Sequence, residues 1–508
     1  VIAELAEPGV LLPVVEQSAL DAEINDQLYL GLNSARWEDG HVVYLLDALA
    51  LARAWRFEAD STALTYEIRA DAVWSDGTPI TADDVVFTYD LVRDTAVGSP
   101  YAYVWSNLDS VVARGPRTVT FYFARRNPDM LFATGLNLVP RHVYADADRA
   151  HLRSHPRLAD PAGGRLVVSG PYTVADWAKG DRLTLVANPR AFAARPAIER
   201  VVFRVVPEEA TRLIELRNGT VDVTWPIPYG RAAEIEADPR LRIERVRARF
   251  YDFIAWNATR VPAFADPEVR RALSLGIDRA ALLRALDMER YAEPADGPFP
   301  PLFRDVRDPN LRPDPYDPDR ARAILEARGF RDQDGDGILE REGRPFRFTL
   351  ATNAGNARRE AVLQMVQAQL RRVGVDVRLR TLESNTFWNA FYGRTYEAAL
   401  AGWQVAVTPD LSPFFYPGGA LNVTGYANPR VTALLDSARA QPTEEAAARY
   451  WREAGRLVAE DRPYAFLYFF DQLVGVNERV RNTRIDTYGV YQNLYAWRLE
   501  TPRAAAVP

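Results

Sequence analysis

The sequence predicts an α/β protein built from two or three domains. Helix and strand patterns alternate along all 508 residues, and a chain of this length is too long for one hydrophobic core. Capping residues mark where helices begin and end, and several short runs alternate apolar and polar side chains as half-buried strands do. No internal repeat interrupts this alternation.

The first well-marked module is a strand, a turn and a helix. Residues 64–69 have the pattern of a strand, and residues 75–77 read Ser-Asp-Gly. A tight turn is expected there, because Asp bonds its own backbone and Gly tolerates positive φ. Thr81 and Asp84 have the spacing of a capping box ahead of an apolar run. We therefore predict a helix that begins directly after Thr81.

Helix boundaries are equally clear in the second half of the chain. Asp266 and Asp317 each precede a proline, which predicts an N-cap acid followed by proline at the first helical position. Gly329 follows an apolar-periodic run and fits the left-handed position just after a helix. Residues 358–373 carry apolar side chains at helical spacing, and residues 375–382 alternate like a half-buried strand. This second half therefore contains at least one α/β unit.

Five segments resemble one family. Residues 66–91 read YEIRADAVWSDGTPITADDVVFTYDL, which closely resembles the "DGTPLTADDVVFSY" segment of the family 5 extracellular solute-binding proteins, the receptors of peptide- and nickel-type ABC importers. The other four segments are similar to that family in the same order, and they are residues 251–283, 316–330, 334–350 and 424–435. Five ordered matches argue strongly against chance agreement.

The resemblance implies a domain arrangement that periodicity alone does not supply. It implies a two-lobed periplasmic-binding-protein fold (type II, large cluster) with a hinge, an extra inserted domain, and a ligand enclosed between the lobes. We place lobe I at residues 1–36, 163–250 and 470–508, the inserted small domain at 37–162, and lobe II at 251–469.

Composition limits the classes of function. The net charge of −6 offers no basic excess to attract nucleic acid. The chain has no cysteine, which excludes thiol catalysis, disulfides and thiolate metal sites. No run of 18 apolar residues predicts a membrane span, and residues 1–15 lack the pattern of a secretion signal. With the resemblance, we expect a periplasmic or extracellular protein, and a lipid anchor on the native N-terminus is an open alternative.

Catalysis and metal binding find little support in the sequence. The four histidines form no HExxH pattern, and no GxSxG or GxxxxGK motif is present. His151 and His155 are four residues apart, but no third ligand lies near them in sequence. Nickel-type members of the family place histidine around the ligand, and no histidine follows His155. We expect no catalytic residue, no cofactor and no metal site.

An acidic loop imitates a calcium site. Residues 332–337 read DQDGDG, with acids at the first, third and fifth positions and glycine at the sixth. The twelfth position, which needs a bidentate Glu, is Gly343. The family has a hairpin turn here, so we predict a turn and keep calcium as an alternative.

The strongest ligand-contact candidate is Trp403. Residues 397–413 resemble the family's "DAALGGWGADYPDP" strand and loop, which enters the ligand cleft. A Trp in that place offers a flat apolar wall and one N–H donor, although a buried core Trp is an equally good interpretation. We predict that Trp403, Gln404, Val405 and Ala406 contact the ligand.

Five further residues are weaker candidates. They are two aromatic side chains, two residues after the Trp403 loop and one residue in lobe I, namely Phe387, Trp388, Asn422, Tyr426 and Asn33. Asn33 follows a strand predicted at residues 28–30, and its assignment rests on family geometry.

Two departures from the family pattern bear on specificity. Peptide-binding members place an acid three residues after the Trp to hold the ligand's ammonium, and that position is Ala406 here. Dipeptide-type members hold the ligand's carboxylate with an Arg whose position is Ala351 here. Burying an ammonium without a counter-charge would cost several kcal/mol, so a short zwitterionic peptide is disfavoured. Asp410 could replace the missing acid if the loop runs differently.

These observations predict the receptor of an ABC importer. It captures a peptide or peptide-like solute, closes about a hinge and delivers the solute to ABC permease subunits, and it is expected to be a monomer. A receptor for a neutral oligosaccharide or another small molecule is the alternative, because sugar rings stack on aromatic walls. A secreted hydrolase or a sensor on the same scaffold is a further alternative, since fold does not fix function.

Overall fold

The chain folds into two compact units. The computed structural model describes residues 1–58, 62–102, 107–192 and 194–500. Unit 1 comprises Val1–Val246 and Gln472–Pro508, and unit 2 comprises Arg247–Asp471. The chain therefore passes from one unit to the other twice, and both crossings lie within strands. The finer division of the first unit into lobe and inserted domain stays a prediction.

Strands and helices are mixed throughout both units. The strands are β1 (Ile2–Glu4), β2 (Ser34–Glu38), β3 (His41–Leu45), β4 (Ala52–Phe57), β5 (Ala63–Ile68), β6 (Leu108–Gly115), β7 (Thr118–Phe123), β8 (Tyr172–Ala178), β9 (Arg182–Ala187), β10 (Arg200–Val205), β11 (Val223–Thr224), β12 (Leu241–Trp256), β13 (Ala292–Pro294), β14 (Glu340–Arg341), β15 (Arg344–Pro345), β16 (Arg347–Asn353), β17 (Asp376–Leu382), β18 (Ala398–Gln404), β19 (Tyr464–Asn477), β20 (Val480–Arg481) and β21 (Arg498–Leu499). The α-helices are α1 (Ala19–Leu28), α2 (Ala82–Arg93), α3 (Met130–Ala133), α4 (Arg141–Tyr144), α5 (Pro156–Ala159), α6 (Glu209–Asn218), α7 (Ala232–Glu236), α8 (Pro267–Leu275), α9 (Arg279–Ala285), α10 (Pro318–Ala327), α11 (Ala357–Arg372), α12 (Ser384–Tyr392), α13 (Ser412–Phe415), α14 (Pro429–Arg439) and α15 (Glu444–Asp461).

Unit 1 contains two principal sheets. In the first, β1 pairs in parallel with β10 and β11, β10 pairs with β9, and β9 pairs with β8. The second is the antiparallel sheet β4-β5-β7-β6. Apolar side chains from both sheets and from α2 belong to one continuous core. Burial of this shared core is the main force that holds unit 1 together.

The sheet of unit 2 positions the candidate site. β18 pairs antiparallel with β12 and in parallel with β16, and β16 pairs in parallel with β17. The short strand β13 pairs with β19. Helix α11 joins β16 to β17, which is the α/β unit predicted from residues 358–382. The end of β18 therefore lies beside the middle of β12, which neighbours β19 in the same sheet.

The cap residues behave as the sequence predicts. Thr81 and Asp84 form a capping box at the start of α2, and the Asp266 and Asp317 side chains accept backbone N–H bonds at the starts of α8 and α10. Gly329 adopts a φ of +84° just after α10. Each of these caps depends on atoms only a few residues away, so the sequence predicts it without the tertiary fold.

One predicted strand is wrong. Residues 28–30 do not form a strand, because Leu28 is the last residue of α1, whose start is capped by Ser18. The N–H of Leu30 donates to the Ser169 side chain at 2.9 Å rather than to a sheet partner.

Within the described ranges, no helix is both long enough and apolar enough to cross a membrane.

Candidate functional site

Trp403 lies in an aromatic cluster of unit 2. Its side chain is largely buried, with 7% of the residue exposed. Its ring centroid lies 5.7 Å from that of Phe253 and 5.3 Å from that of Phe414. Its Nε1 donates to the Tyr464 hydroxyl at 3.4 Å. Most of the Trp403 surface therefore serves packing within unit 2, and its contact with a ligand stays a prediction.

The aromatic cluster continues to the surface through helix α12. Phe387 is buried, whereas Trp388 is half-buried and Tyr392 is exposed. The Trp388 and Tyr392 rings stack with centroids 5.8 Å apart and planes at 26°. The ring centroid of Tyr392 lies 6.4 Å from that of Trp403. The accessible aromatic faces are therefore those of Trp388 and Tyr392. Tyr392 was not among the predicted contacts, although its i,i+4 spacing from Trp388 places both on one helix face.

Exposed and buried side chains alternate at the end of β18. Gln404 and Ala406 are exposed, and Val405 between them is buried. The Val405 N–H donates to the carbonyl of Arg249 at 2.8 Å, and Arg249 Nη1 donates back to the Val405 carbonyl at 2.5 Å. Gln404 pairs in register with Phe250 of β12. Gln404 and Ala406 are thus the two side chains of this segment that a solute can reach.

Asp410 has a structural task. Its Oδ1 accepts the backbone N–H of Ser412 at 2.8 Å and the Ser412 hydroxyl at 2.5 Å. These bonds satisfy donors at the start of the short helix α13. The carboxylate is half-buried. Its role as a substitute for the missing acid at Ala406 stays a prediction.

Asn422 and Tyr426 stabilise the loop before α14. The Asn422 amide donates to the carbonyls of Tyr416 and Tyr426 at 3.0 and 2.8 Å, and its Oδ1 accepts the Tyr426 N–H. The Tyr426 hydroxyl donates to Asp461 at 2.5 Å. The polar atoms that made both residues candidates are therefore engaged within the chain.

Asn33 is the candidate in unit 1, while the other nine lie in unit 2. Its Nδ2 donates to the Tyr66 hydroxyl at 2.9 Å and to the Leu131 carbonyl at 3.1 Å. A Cβ on Gly135 would lie only 2.7 Å from the Asn33 Oδ1, so the amide fits tightly against a bare backbone. Asn33 fastens the polypeptide of unit 1, and its contact with a ligand stays a prediction.

A buried carboxylate next to β18 organises two arginines. Asp252 of β12 has no exposed surface, and its oxygens lie 3.0 Å from Arg358 Nη2 and 3.2 Å from Arg359 Nη2. The Tyr468 hydroxyl donates to the same carboxylate at 3.0 Å. A Cβ on Gly402 would lie 2.2 Å from Asp252 Oδ1. Glycine at 402 therefore makes room for this network, which has one negative and two positive charges.

Arg358 also lies over an aromatic pair. Its guanidinium carbon is 4.0 Å from the centroid of the Phe470 ring, and Phe470 stacks on Phe250 with centroids 5.6 Å apart. The Arg358 side chain keeps 20% of its surface exposed. This network was not predicted from the sequence. Asp252 within the apolar run YDFIAW is the signal that points to it, because a buried acid requires a partner.

The acidic loop forms a compact set of carboxylates. One oxygen from each of Asp332, Asp334, Asp336 and Glu340 lies within 4.8 Å of the others. Several of these oxygens accept backbone N–H bonds, including Gly335 to Asp332 at 2.8 Å and Gln333 to Glu340 at 2.7 Å. The fourth acid is thus Glu340 rather than a residue at position 343. Such bonds account for a turn, and metal binding here stays untested.

Four carboxyl groups of unit 1 have raised pKa values, and loss of hydration raises the pKa of Asp26 to about 6. Burial raises the pKa of Glu4 to about 7, partly opposed by its hydrogen bonds with Tyr491 and Trp225. Burial likewise raises the pKa of Glu16 to about 8 and that of Glu23 to about 8. Loss of hydration penalises the ionised form. These groups are therefore poised to titrate near neutral pH.

Comparison with known proteins identifies the family. The sequence profile of the bacterial extracellular solute-binding proteins, family 5 Middle, matches residues 48–424. The chain belongs to this family. The predicted family and the predicted two-lobed periplasmic-binding-protein fold class are confirmed.

Individual relatives are similar along almost the whole chain. The oligopeptide-binding protein AppA of Bacillus subtilis (strain 168) is 25% identical over 516 residues, covering 98% of this chain and 91% of AppA. Protein XP55 of Streptomyces lividans is 29% identical over 500 residues, covering 94% of this chain and 85% of XP55. The solved structure of B. subtilis AppA in complex with a nonapeptide matches with a TM-score of 0.80 and covers 98% of each chain.

Proposed function

We propose that the chain is the extracytoplasmic receptor of an ABC importer that binds a peptide or peptide-like solute and delivers it to the permease subunits. The observation that carries this proposal is the match of 98% of the chain to AppA, an oligopeptide-binding protein solved with a nonapeptide. Receptor families of this kind bind without making or breaking bonds, so we propose no catalytic step. A monomer and enclosure of the solute between lobes stay expectations of the resemblance.

The chemistry of unit 2 suits an extended peptide. Trp388 and Tyr392 offer aromatic faces for apolar side chains, while Gln404 offers an amide at the end of a strand. Extended peptides gain affinity from polar contacts along the backbone and specificity from pockets for alternate side chains. Aromatic side chains supply much of the binding energy at such surfaces.

Arg358 supplies a cation for a carboxylate on the solute. The position that sequence counting selected, Ala351, is buried within β16 opposite Ala399 and carries no charge. The cation is instead Arg358 of helix α11, which the carboxylate of Asp252 orients. Asp252, Arg358 and Arg359 together carry a net positive charge. Oriented guanidinium groups bind carboxylates well, because their planar donors match the two oxygens. We therefore propose that the solute is held through a carboxylate and apolar contacts more than through an ammonium.

A neutral oligosaccharide is the second candidate. The stacked and accessible pair Trp388 and Tyr392 favours it, since sugar rings pack on aromatic faces. The positive charge beside Asp252 is the feature that a neutral sugar leaves unused.

A thermal-shift screen followed by calorimetry distinguishes the candidates. Peptides of two to nine residues, neutral oligosaccharides and Ni²⁺ are each added to the purified protein. We expect peptides to raise the melting temperature, since a ligand at 100 times its Kd stabilises the folded state by about 2.7 kcal/mol. A shift with sugars alone would establish the second candidate. Cleavage of the peptide, seen by mass spectrometry, would instead indicate a hydrolase.

A further inference from the structure

One face of the unit 2 sheet carries an aromatic surface next to the Asp252 carboxylate. Phe250 of β12 pairs in register with Gln404 of β18, and Asp252 pairs with Gly402. Residues two apart along a strand point to the same side of a sheet. Phe250 and Asp252 therefore share one face, and the Gln404 side chain lies beside Phe250 on that face.

Strand β19, which neighbours β12 in the sheet, continues this face. The Tyr468 hydroxyl donates to Asp252 at 3.0 Å. Two residues further along β19, the Phe470 ring stacks on that of Phe250, with centroids 5.6 Å apart and planes at 20°. The guanidinium carbon of Arg358 lies 4.0 Å from the centroid of the same Phe470 ring. Phe470 thus contacts both the aromatic side chain of β12 and the cation of α11.

Phe250 is the accessible part of the aromatic pair. Phe470 is buried, with 8% of the residue exposed, whereas Phe250 is half-buried and Gln404 is exposed. A half-buried ring that is backed by a second ring offers an apolar contact surface at little cost in side-chain entropy. Gln404 gives this surface, Phe250 with Phe470, a polar edge.

Charge decides which part of a solute lies here. Asp252, Arg358 and Arg359 together carry a net positive charge, so the matching group on a peptide is its terminal carboxylate. The guanidinium and the Phe250 ring are both in contact with one ring, Phe470. The carboxylate and the side chain of a single amino-acid residue, which are attached to the same carbon, span a similar separation. A carboxylate on Arg358 therefore brings the side chain of the same residue to Phe250.

We propose that Phe250 determines specificity for the carboxyl-terminal residue of the solute and selects a large apolar side chain, such as that of phenylalanine or leucine. This inference rests on the proposed peptide-binding function and names the class of peptide that the Arg358 contact accepts. The terminal side chain packs on Phe250 while its carboxylate accepts from Arg358.

Calorimetry with the peptides Ala-Ala-Ala-Ala-X tests the selectivity. Phenylalanine at X should bind at least about tenfold more tightly than alanine, and leucine at least about tenfold more tightly than asparagine, because burying apolar surface stabilises the complex. Leucine and asparagine have nearly the same size, so this pair isolates polarity. Equal affinities across the series would overturn the inference and leave the receptor function standing. Binding of no peptide would refute the proposed function, and this inference with it.

A variant of Phe250 locates the preference. In Phe250→Ala, phenylalanine and alanine at X should bind within about threefold of each other, while amidation of the carboxyl terminus should weaken binding as much as in the parent. Tyr316→Ala, which removes an aromatic side chain at an exposed position of unit 2, should keep the preference of the parent. A preference that persists in Phe250→Ala would assign the terminal side chain to another surface.

Photocrosslinking of the parent protein gives a second test that no folding defect can obscure. A peptide with 4-benzoylphenylalanine at its carboxyl terminus is irradiated in the complex, and the attached residues are identified by mass spectrometry. We expect attachment within residues 249–253, 402–405 or 468–471. Attachment to residues 384–392 instead would place the terminal side chain on Trp388 and Tyr392 and refute the role of Phe250.

Discussion

The Arg358 guanidinium lies 3.0 Å from the carboxylate of Asp252, a residue with no exposed surface. This single buried acid also pairs with Arg359 and accepts a hydrogen bond from the Tyr468 hydroxyl, and a Cβ on Gly402 would lie 2.2 Å from its Oδ1. Asp252 therefore joins the core of unit 2 to the part of Arg358 that a solute can reach. Stability and ligand binding should depend on this pair in different ways.

Asp252→Asn should destabilise the protein strongly. It removes the negative charge that balances two guanidinium groups, and breaking a buried ion pair on one side costs about 3–5 kcal/mol. Chemical denaturation followed by tryptophan fluorescence measures this loss, with Asp319→Asn as the exposed control. A change below 1 kcal/mol would show that solvent or a neighbouring group already compensates the two arginines.

Arg358→Met should weaken binding of a peptide that has a free carboxyl terminus at least about tenfold, or about 1.4 kcal/mol. The same peptide with an amidated terminus should lose much less, because only the free carboxylate uses the guanidinium. Met keeps an apolar chain that can cover Phe470, so the melting temperature should change little. Equal losses for both peptides in calorimetry would remove Arg358 from carboxylate recognition. Arg320→Gln provides the control.

Alanine variants of Trp403 and Trp388 should distinguish a role in packing from a role in ligand binding. Trp403→Ala removes a buried ring from the aromatic cluster and should cost about 3–5 kcal/mol of stability. Trp388→Ala removes a half-buried ring beside Tyr392, so we expect weaker solute binding by more than about 1 kcal/mol with little change in melting temperature. If Trp388→Ala binds the solute as well as the parent, the surface pair is not the aromatic wall.

The sequence predicted helix boundaries more reliably than it predicted the roles of individual side chains. Thr81, Asp266 and Gly329 were correctly read because their partners lie within a few residues. The ligand contacts could not be predicted in this way, because the burial of Trp403 depends on Phe253 and Tyr464, which are distant in sequence. Counting along a resembling segment also selected Ala351, although the nearby cation is supplied by the following helix. The ion pair between Asp252 of β12 and Arg358 of α11 is a tertiary contact, which a single sequence does not reveal.

Ala406→Asp should improve the binding of peptides with a free amino terminus. Ala406 is exposed at the end of β18, so an aspartate there adds no buried charge in the free protein. An oriented ion pair of this kind contributes about 1–3 kcal/mol when it is hydrogen-bonded and partly desolvated. Calorimetry with a free and an N-acetylated peptide measures the difference. An equal gain for both peptides, or no gain for either, would show that position 406 does not face the ammonium.

Stability should fall as the pH rises from about 5 to about 8. The folded-state pKa values of Glu4, Glu16 and Glu23 are about 7, 8 and 8, above the ordinary value of 4.5. In this window the folded protein binds more protons than the unfolded chain, so the free energy of unfolding decreases with pH. The contribution of each group is complete below pH 4.5 and is lost as the pH rises through its folded pKa.

Glu4→Gln should remove a measurable part of this pH dependence. Glu4 is almost fully buried, and a shift of this size corresponds to roughly 3 kcal/mol between pH 4.5 and pH 8. The variant should resemble the parent in acid and be more stable than the parent at pH 8, because its amide never ionises. Urea denaturation from pH 5 to pH 8 measures the slope, and Glu199→Gln, at an exposed position of unit 1, should keep the slope of the parent. A parallel curve for Glu4→Gln would mean that Glu4 ionises freely in the folded protein, and the decrease would then have to come from Glu16, Glu23 and Asp26.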